Sequence, residues 1–187
     1  MVENQQLQAE NILNQYEVLK NQLNPHMLFN SLNTLRSLVR EDQDKAQEYI
    51  QELSRVLRYT LQGNDSKSVT LRDEMEFVSA YIFLLKMRFE DNLSFDIRID
   101  KQYDDHRLPP MAVQMLIENA VKHNEISDRR PLSIRVYTEG EELVVTNPVQ
   151  PKLTATAGTG VGLANLAKRY HLLYKCEIQI TENKYFT

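Results

Sequence analysis

The chain has 187 residues and a net charge of −4, enough length for one large or two small domains around a real aliphatic core. That charge argues against a general nucleic-acid surface, which needs clustered Lys and Arg. One cysteine, Cys176, excludes an internal disulfide and a cysteine-cluster metal site; no apolar run nears the ~20 residues of a bilayer span, and no signal-peptide pattern opens the chain.

Residues 2–23 are rich in Gln, Asn and Glu, with Ile12, Tyr16, Leu19 and Leu23 at spacings of four, three and four, a short heptad seam suited to helices pairing in a dimer. Continued unchanged, this seam would bury position 26. Instead Pro25 interrupts the run, and the apolar stripe resumes as Leu28, Leu32, Leu35 and Val39. His26 then lies roughly 200° from Leu28 on the helical wheel, pointing away from the expected seam. Asn30, Asn33 and Ser37 stack beside it as a small, polar docking face. An exposed histidine beside a helix break is usually incidental; the rest of the chain changes that weighting.

After a polar turn at Glu41 to Asp44, a second helix carries Ala46, Ile50, Leu53, Leu57 and Leu61 on one face. The two helices predict an antiparallel hairpin that still shows an apolar face, and two copies would make a four-helix bundle. Gly63 to Ser68 breaks the periodicity as a linker, dividing a helical domain, 1–63, from a second domain, 64–187. Thr70-Leu71-Arg72-Asp73 has the form of a capping box opening a helix that runs to about Phe89.

From there the pattern becomes α+β. Ser94 to Ile99 alternates as a strand, Pro109-Pro110 precedes a helix from about Met111 to His123, and Leu132 to Thr138 with Glu142 to Thr146 forms a hairpin around Glu139-Gly140. A stretch from Pro148 to Gly158 leads to a helix over 162–174, Glu177 to Thr181 returns to strand, and a new alternation starts at Tyr185. Helices interleaved among antiparallel strands are expected. The abrupt ends read as those of a fragment truncated at both termini.

Two features carry chemistry. On the helix ending at His123, residues Asn119, Lys122 and His123 share one face, where an amide oxygen suits Mg²⁺ and a cation suits phosphate. Alone, that is more often a solvated helix face. Further on, Gly158-Thr159-Gly160-Val161-Gly162-Leu163 places three of the five glycines before a helix, where backbone N–H groups and the positive dipole end attract an anion. It is neither a Walker A motif nor a Rossmann fingerprint.

His26 within Asn24-Pro25-His26-Met27-Leu28-Phe29-Asn30, then Ile117-Glu118-Asn119-Ala120-Val121-Lys122-His123, then the Gly-x-Gly-x-Gly-Leu loop stand in the order and spacing of sensor histidine kinases, and the chain closely resembles their LytS-like family over essentially its whole length. Arg88-Phe89 also resembles a family signature. The resemblance implies a dimerisation and phosphotransfer hairpin followed by a Bergerat-type (GHKL) ATP-binding α/β sandwich. It implies that His26 is the phosphoacceptor and that Asn119 chelates Mg²⁺ with ATP. Lys122 and His123 would face the phosphates, and Gly158, Gly160, Gly162 and Leu163 would belong to the ATP lid. Glu118 is a candidate for holding a water or the metal, or a solvated helix residue. The implied partners are a second copy of the chain and the receiver domain of a response regulator. The implied setting is the cytoplasmic side of a bacterial inner membrane, with any membrane contact made through a sensor region outside this chain.

Three positions depart from the family pattern. Asn147 and Val149 stand at the aspartate and glycine of an Asp-x-Gly turn whose carboxylate usually receives the adenine amino group, and Met27 where an acidic residue often follows the histidine. A neutral acceptor is the weaker one. These departures keep a nucleotide-binding pseudokinase, a conformational relay without phosphotransfer, as the alternative.

Overall fold

The computed structural model describes residues 25–62, 68–152, 161–182 and 184–187. The heptad seam at Ile12 to Leu23, most of the Gly63 to Ser68 linker, and Gly158 and Gly160 lie outside them. The chain divides into two units, residues 1–64 and 65–187.

In the first unit, helix α1 (Pro25–Glu41) and helix α2 (Gln43–Gln62) are separated by Asp42 alone. Asp42 caps α2: its Oδ1 accepts from Lys45 N at 3.0 Å, and its carbonyl accepts from Ala46 N. The Lys45 N–H bond, with the Lys45 ammonium beside the carboxylate, lowers the carboxyl pKa. The face of α2 that is buried is Ala46, Tyr49, Leu53, Val56 and Thr60, at spacings of three, four, three and four. Thr60 is satisfied by the Val56 carbonyl at 2.8 Å.

That stripe corrects the one expected from the sequence. Ile50 and Leu61 are exposed, and on α1 the small Ser31 is buried while Leu32 and Val39 are half exposed at 50% and 51%. Two apolar stripes overlap on each helix. Periodicity counts both but cannot tell which one meets the other helix.

In the second unit, strand β1 (Val69–Thr70) leads into helix α3 (Leu71–Phe89), with Thr70 Oγ1 accepting from Asp73 N at 3.1 Å as the capping pattern predicts. Strands β2 (Leu93–Arg98), β4 (Leu132–Glu139), β5 (Glu142–Pro148) and β6 (Tyr185–Phe186) form one sheet in that spatial order, while β1 pairs with β3 (Arg107–Leu108). Helix α4 (Ala112–His123) crosses from β2 towards β4, and helix α5 (Val161–Tyr174) follows β5. Leu132, Ile134 and Val136 alternate into a core shared with Val113, Ile117 and Ala120 of α4 and with Phe77, Val78 and Leu84 of α3.

The fold is α+β, but its sheet is mixed. β2 and β4 run parallel in register Leu93↔Leu132 to Arg98↔Tyr137, which requires the α4 crossover, whereas β4–β5 is a hairpin closed by Gly140 at φ +59° in the first central position of its two-residue loop. The expectation of purely antiparallel strands is corrected accordingly. Glu177 to Thr181 is not a strand either: among the described residues its backbone pairing is a reciprocal pair of 2.9 Å bonds between Thr181 and Thr187, and the strand beside β5 is β6. Extended backbone without a continuous partner forms no ladder.

Candidate functional site

Helix α4 is the scaffold of the site, and its first turn is held from within the core. Pro109-Pro110 and Met111, at φ +62°, bring the chain sharply into the helix. The carboxylate of Glu74 on α3, fully buried, then accepts from Met111 N at 2.9 Å and Val113 N at 3.0 Å. A buried carboxylate is tolerated here because it receives charge-assisted bonds at the positive end of a helix dipole. The sequence reading missed Glu74; its only sequence signal is an acidic residue among the apolar positions of α3.

The other end of α4 is pinned to the chain leaving β5. Asn124 Oδ1 accepts from Gln150 N at 2.7 Å while its Nδ2 donates to Ala120 O, and Glu125 N donates to Gln150 O at 2.8 Å. The Gln150 amide donates to the Glu125 and Arg130 carbonyls at 2.7 and 3.1 Å. Buried and bonded on several sides, Asn124 and Gln150 fix where the last turn of α4 ends.

On that turn the predicted residues sit together: Glu118 and Asn119 are partly buried, Lys122 is exposed and His123 is partly buried. Burial lowers the His123 pKa, and the charges of Lys122 and Lys152 lower it further. Lys152 lies across the end of the helix, donating to Lys122 O at 2.8 Å and Val121 O at 3.2 Å; its own pKa is lowered by burial and by Arg88. The turn carrying Asn119 is thus ringed by cationic or protonatable groups, the arrangement that attracts an anion.

Glu118 faces a different neighbourhood. It accepts from Gln114 Nε2 at 3.3 Å, next to the buried phenol of Tyr81 on α3. Burial, reinforced by the charge of Glu118, pushes that phenol far above the usual tyrosine range, against a hydrogen bond from Gln114 and the charge of Arg88.

Asn147, at the end of β5, is 3% exposed, and its Nδ2 donates to Pro148 O at 2.8 Å. That bond uses an amide N–H of Asn147. Asn147 and Leu163 line one cavity of about 500 Å³ together with Val113 and Leu116 of α4. Asn119, Lys122 and His123 do not line it, so the structure groups the predicted nucleotide residues in two places along α4. Gly162, in the first turn of α5, borders α4: a Cβ there would meet Met115 Cε at 4.0 Å, an ordinary contact, so packing does not require the glycine.

In the first unit, the imidazole of His26 is exposed in the first turn of α1. The Asn30 amide nitrogen approaches both ring nitrogens, at 3.2 Å from Nδ1 and 3.3 Å from Nε2. A donor that reaches both lies off the in-plane lone-pair direction of each, so the contact orients neither nitrogen strongly.

Among the described residues, no group of three or more His, Cys, Asp or Glu side chains could hold a metal ion, and no helix is long and apolar enough to cross a membrane. The donor set around Asn119, one amide oxygen among cations, suits a Mg²⁺ that arrives on phosphate oxygens, since that ion keeps waters and takes few protein ligands.

The histidine kinase family model matches residues 14–93. The chain is 34% identical over 176 residues to the sensor protein LytS of Streptococcus agalactiae, covering 84% of this chain and 30% of that protein. It is 34% identical over 172 residues to LytS of Staphylococcus haemolyticus, covering 83% of this chain and 30% of the relative. To the sensor histidine kinase BtsS of Escherichia coli it is 35% identical over 156 residues, covering 80% and 28%. The chain therefore spans about a third or less of these relatives. Motif order, α+β architecture and this similarity across both units agree: the chain belongs to the LytS-like family of sensor histidine kinases.

Proposed function

We propose that the chain is the phosphotransfer and ATP-binding part of a two-component sensor kinase. On this reading residues 1–63 form the dimerisation and phosphotransfer hairpin and residues 64–187 the Bergerat-type ATP-binding domain. A ring nitrogen of His26 attacks the γ-phosphorus of ATP. The unprotonated ring nitrogen forms the P–N bond, the bond from the γ-phosphorus to the β–γ bridging oxygen breaks, ADP leaves, and the proton on the other ring nitrogen of the resulting phosphoimidazolium passes to water. The phosphoryl group then passes to an aspartate of a response regulator. The observation that carries this reading is the exposed His26 imidazole in a chain that also gathers Asn119, Lys122 and His123 on one helix turn.

A neutral imidazole is already a competent nucleophile near pH 7, so the protein must supply alignment and charge neutralisation more than a strong base. Mg²⁺, when bound with ATP, supplies neutralisation of charge on the phosphate oxygens. Asn119 would hold the metal, Lys122 and His123 would meet phosphate, and Asn147 would accept the adenine amino group. Gly158, Gly160, Gly162 and Leu163 would close over the nucleotide. Gly162 favours that role, because packing leaves room for a side chain there. Glu118 would orient a water or the metal.

The apolar residues left on the hairpin, among them Phe29 at 68% exposure with Leu32, Val39 and Ile50, are what a second copy would bury in a four-helix bundle. The setting that follows is a cytoplasmic region of a bacterial inner-membrane sensor.

Incubation with γ-labelled ATP and Mg²⁺ tests the reading. Acid-labile, base-stable label that disappears in His26→Ala supports the kinase. Nucleotide binding without label indicates the pseudokinase relay, and the absence of both binding and label indicates a coiled-coil scaffold in which His26 is incidental.

A further inference from the structure

Lys152 was not among the residues expected at the nucleotide site, yet its ammonium reaches the turn that carries Lys122 and His123. Its backbone is fixed there: Lys152 N lies 3.4 Å from His123 O, just beyond the Asn124, Glu125 and Gln150 clamp. Across the end of α4 its Nζ donates to Lys122 O at 2.8 Å and Val121 O at 3.2 Å. An ammonium has three donors, and these two bonds leave one.

Two physical considerations give that remaining donor a ligand. The C-terminal end of a helix carries partial negative charge, the wrong sign for a polyphosphate, and a cation lying over its last carbonyls offsets it. Among the described residues, no carboxylate lies within ion-pair distance of either Lys122 or Lys152, although both stand at one helix end, each near enough to His123 for its charge to lower that pKa. Cations gathered without a carboxylate partner make a site for an external anion.

We propose that Lys152 is a second phosphate-binding cation of the nucleotide site, paired with Lys122 across the last turn of α4 and contacting the triphosphate with the donor its helix cap leaves over. This rests on the ATP-binding reading above. A residue that only capped α4 would serve every ligand equally; Lys152 serves the phosphates and not the nucleoside.

The test is calorimetric titration of the whole chain and its Lys152→Met and Lys152→Gln variants with Mg-ATP and with adenosine, with circular dichroism to establish folding. Lys152→Gln keeps N–H donors on a shorter, uncharged side chain, so it reports even if Lys152→Met does not fold. The proposal expects both variants to weaken Mg-ATP by roughly tenfold to a hundredfold, adenosine to stay within about twofold, and Lys152→Arg to retain most Mg-ATP affinity. Equal weakening of both ligands, or unchanged Mg-ATP affinity in Lys152→Gln, overturns it. A parent chain that binds neither ligand overturns the ATP-binding reading itself, and this proposal with it.

Discussion

Glu74 keeps a carboxylate in the core because two N–H groups of the α4 entry have no other described acceptor as strong. Glu74→Ala strands those donors and is expected to cost about 2–4 kcal/mol of stability in urea unfolding, whereas Glu74→Gln, which retains an acceptor oxygen, costs less. His123 makes the opposite statement about charge. Its folded pKa lies below the ordinary value of about 6.5, so the unfolded chain takes up the proton first as pH falls. The stability tied to neutral His123 is complete above about pH 6.5 and is lost as pH drops towards the folded pKa. Thermal unfolding of His123→Gln should therefore fall less steeply with acidification than that of the parent. A parallel decline in both would contradict the assigned burial and cationic surroundings. Neither residue was equally legible in the sequence: His123 belongs to a motif with a helical spacing, while Glu74 acts through a residue 39 positions away, which no local pattern encodes.

Helix α5 ends at Tyr174, and Lys175 follows at φ +57° with its N–H on the His171 carbonyl at 2.9 Å. This is the left-handed closing position that glycine occupies without steric cost, so Lys175→Gly is expected to stabilise the chain by about 0.5–1 kcal/mol despite the larger unfolded-state entropy. A lower melting temperature would show that the lysine side chain contributes more than its backbone strain costs. At this scale the sequence was most informative where signals were local. The Thr70 cap, the length of α3, α4 and the Gly140 hairpin are each set by neighbours within a few positions. It was least informative where a partner decides. Parallel pairing of β2 with β4 depends on a crossover of more than thirty residues, and Glu177 to Thr181 alternates like a strand but lacks a ladder. The buried stripe of α2 shifted to Tyr49 and Val56 because α1 chose one of two apolar faces.

For the whole molecule, the motifs set the order of the candidate residues, and within the second unit the fold sets how they are grouped. Helix α4 carries Asn119, Lys122 and His123, while Asn147 and Leu163 meet at a separate cavity along the same helix. Lys152, Asn124 and Gln150 leave no sequence signature, because they act through backbone groups and a buried clamp rather than through a motif. The exposed apolar stripe on the hairpin carries an expectation about assembly: Leu32→Glu with Val39→Glu should shift the chain towards monomer in sedimentation velocity, with helicity of the second unit retained. Unchanged association would mean that these residues do not form the copy-to-copy surface.

The central claim is that His26 receives the γ-phosphoryl group of ATP. It is tested most directly by ³¹P NMR of the chain after incubation with Mg-ATP. A phosphoramidate resonance is expected, lost in His26→Gln and strongly reduced in Asn119→Ala. A phosphoramidate signal that persists in His26→Gln would place the phosphoryl group elsewhere and contradict the account.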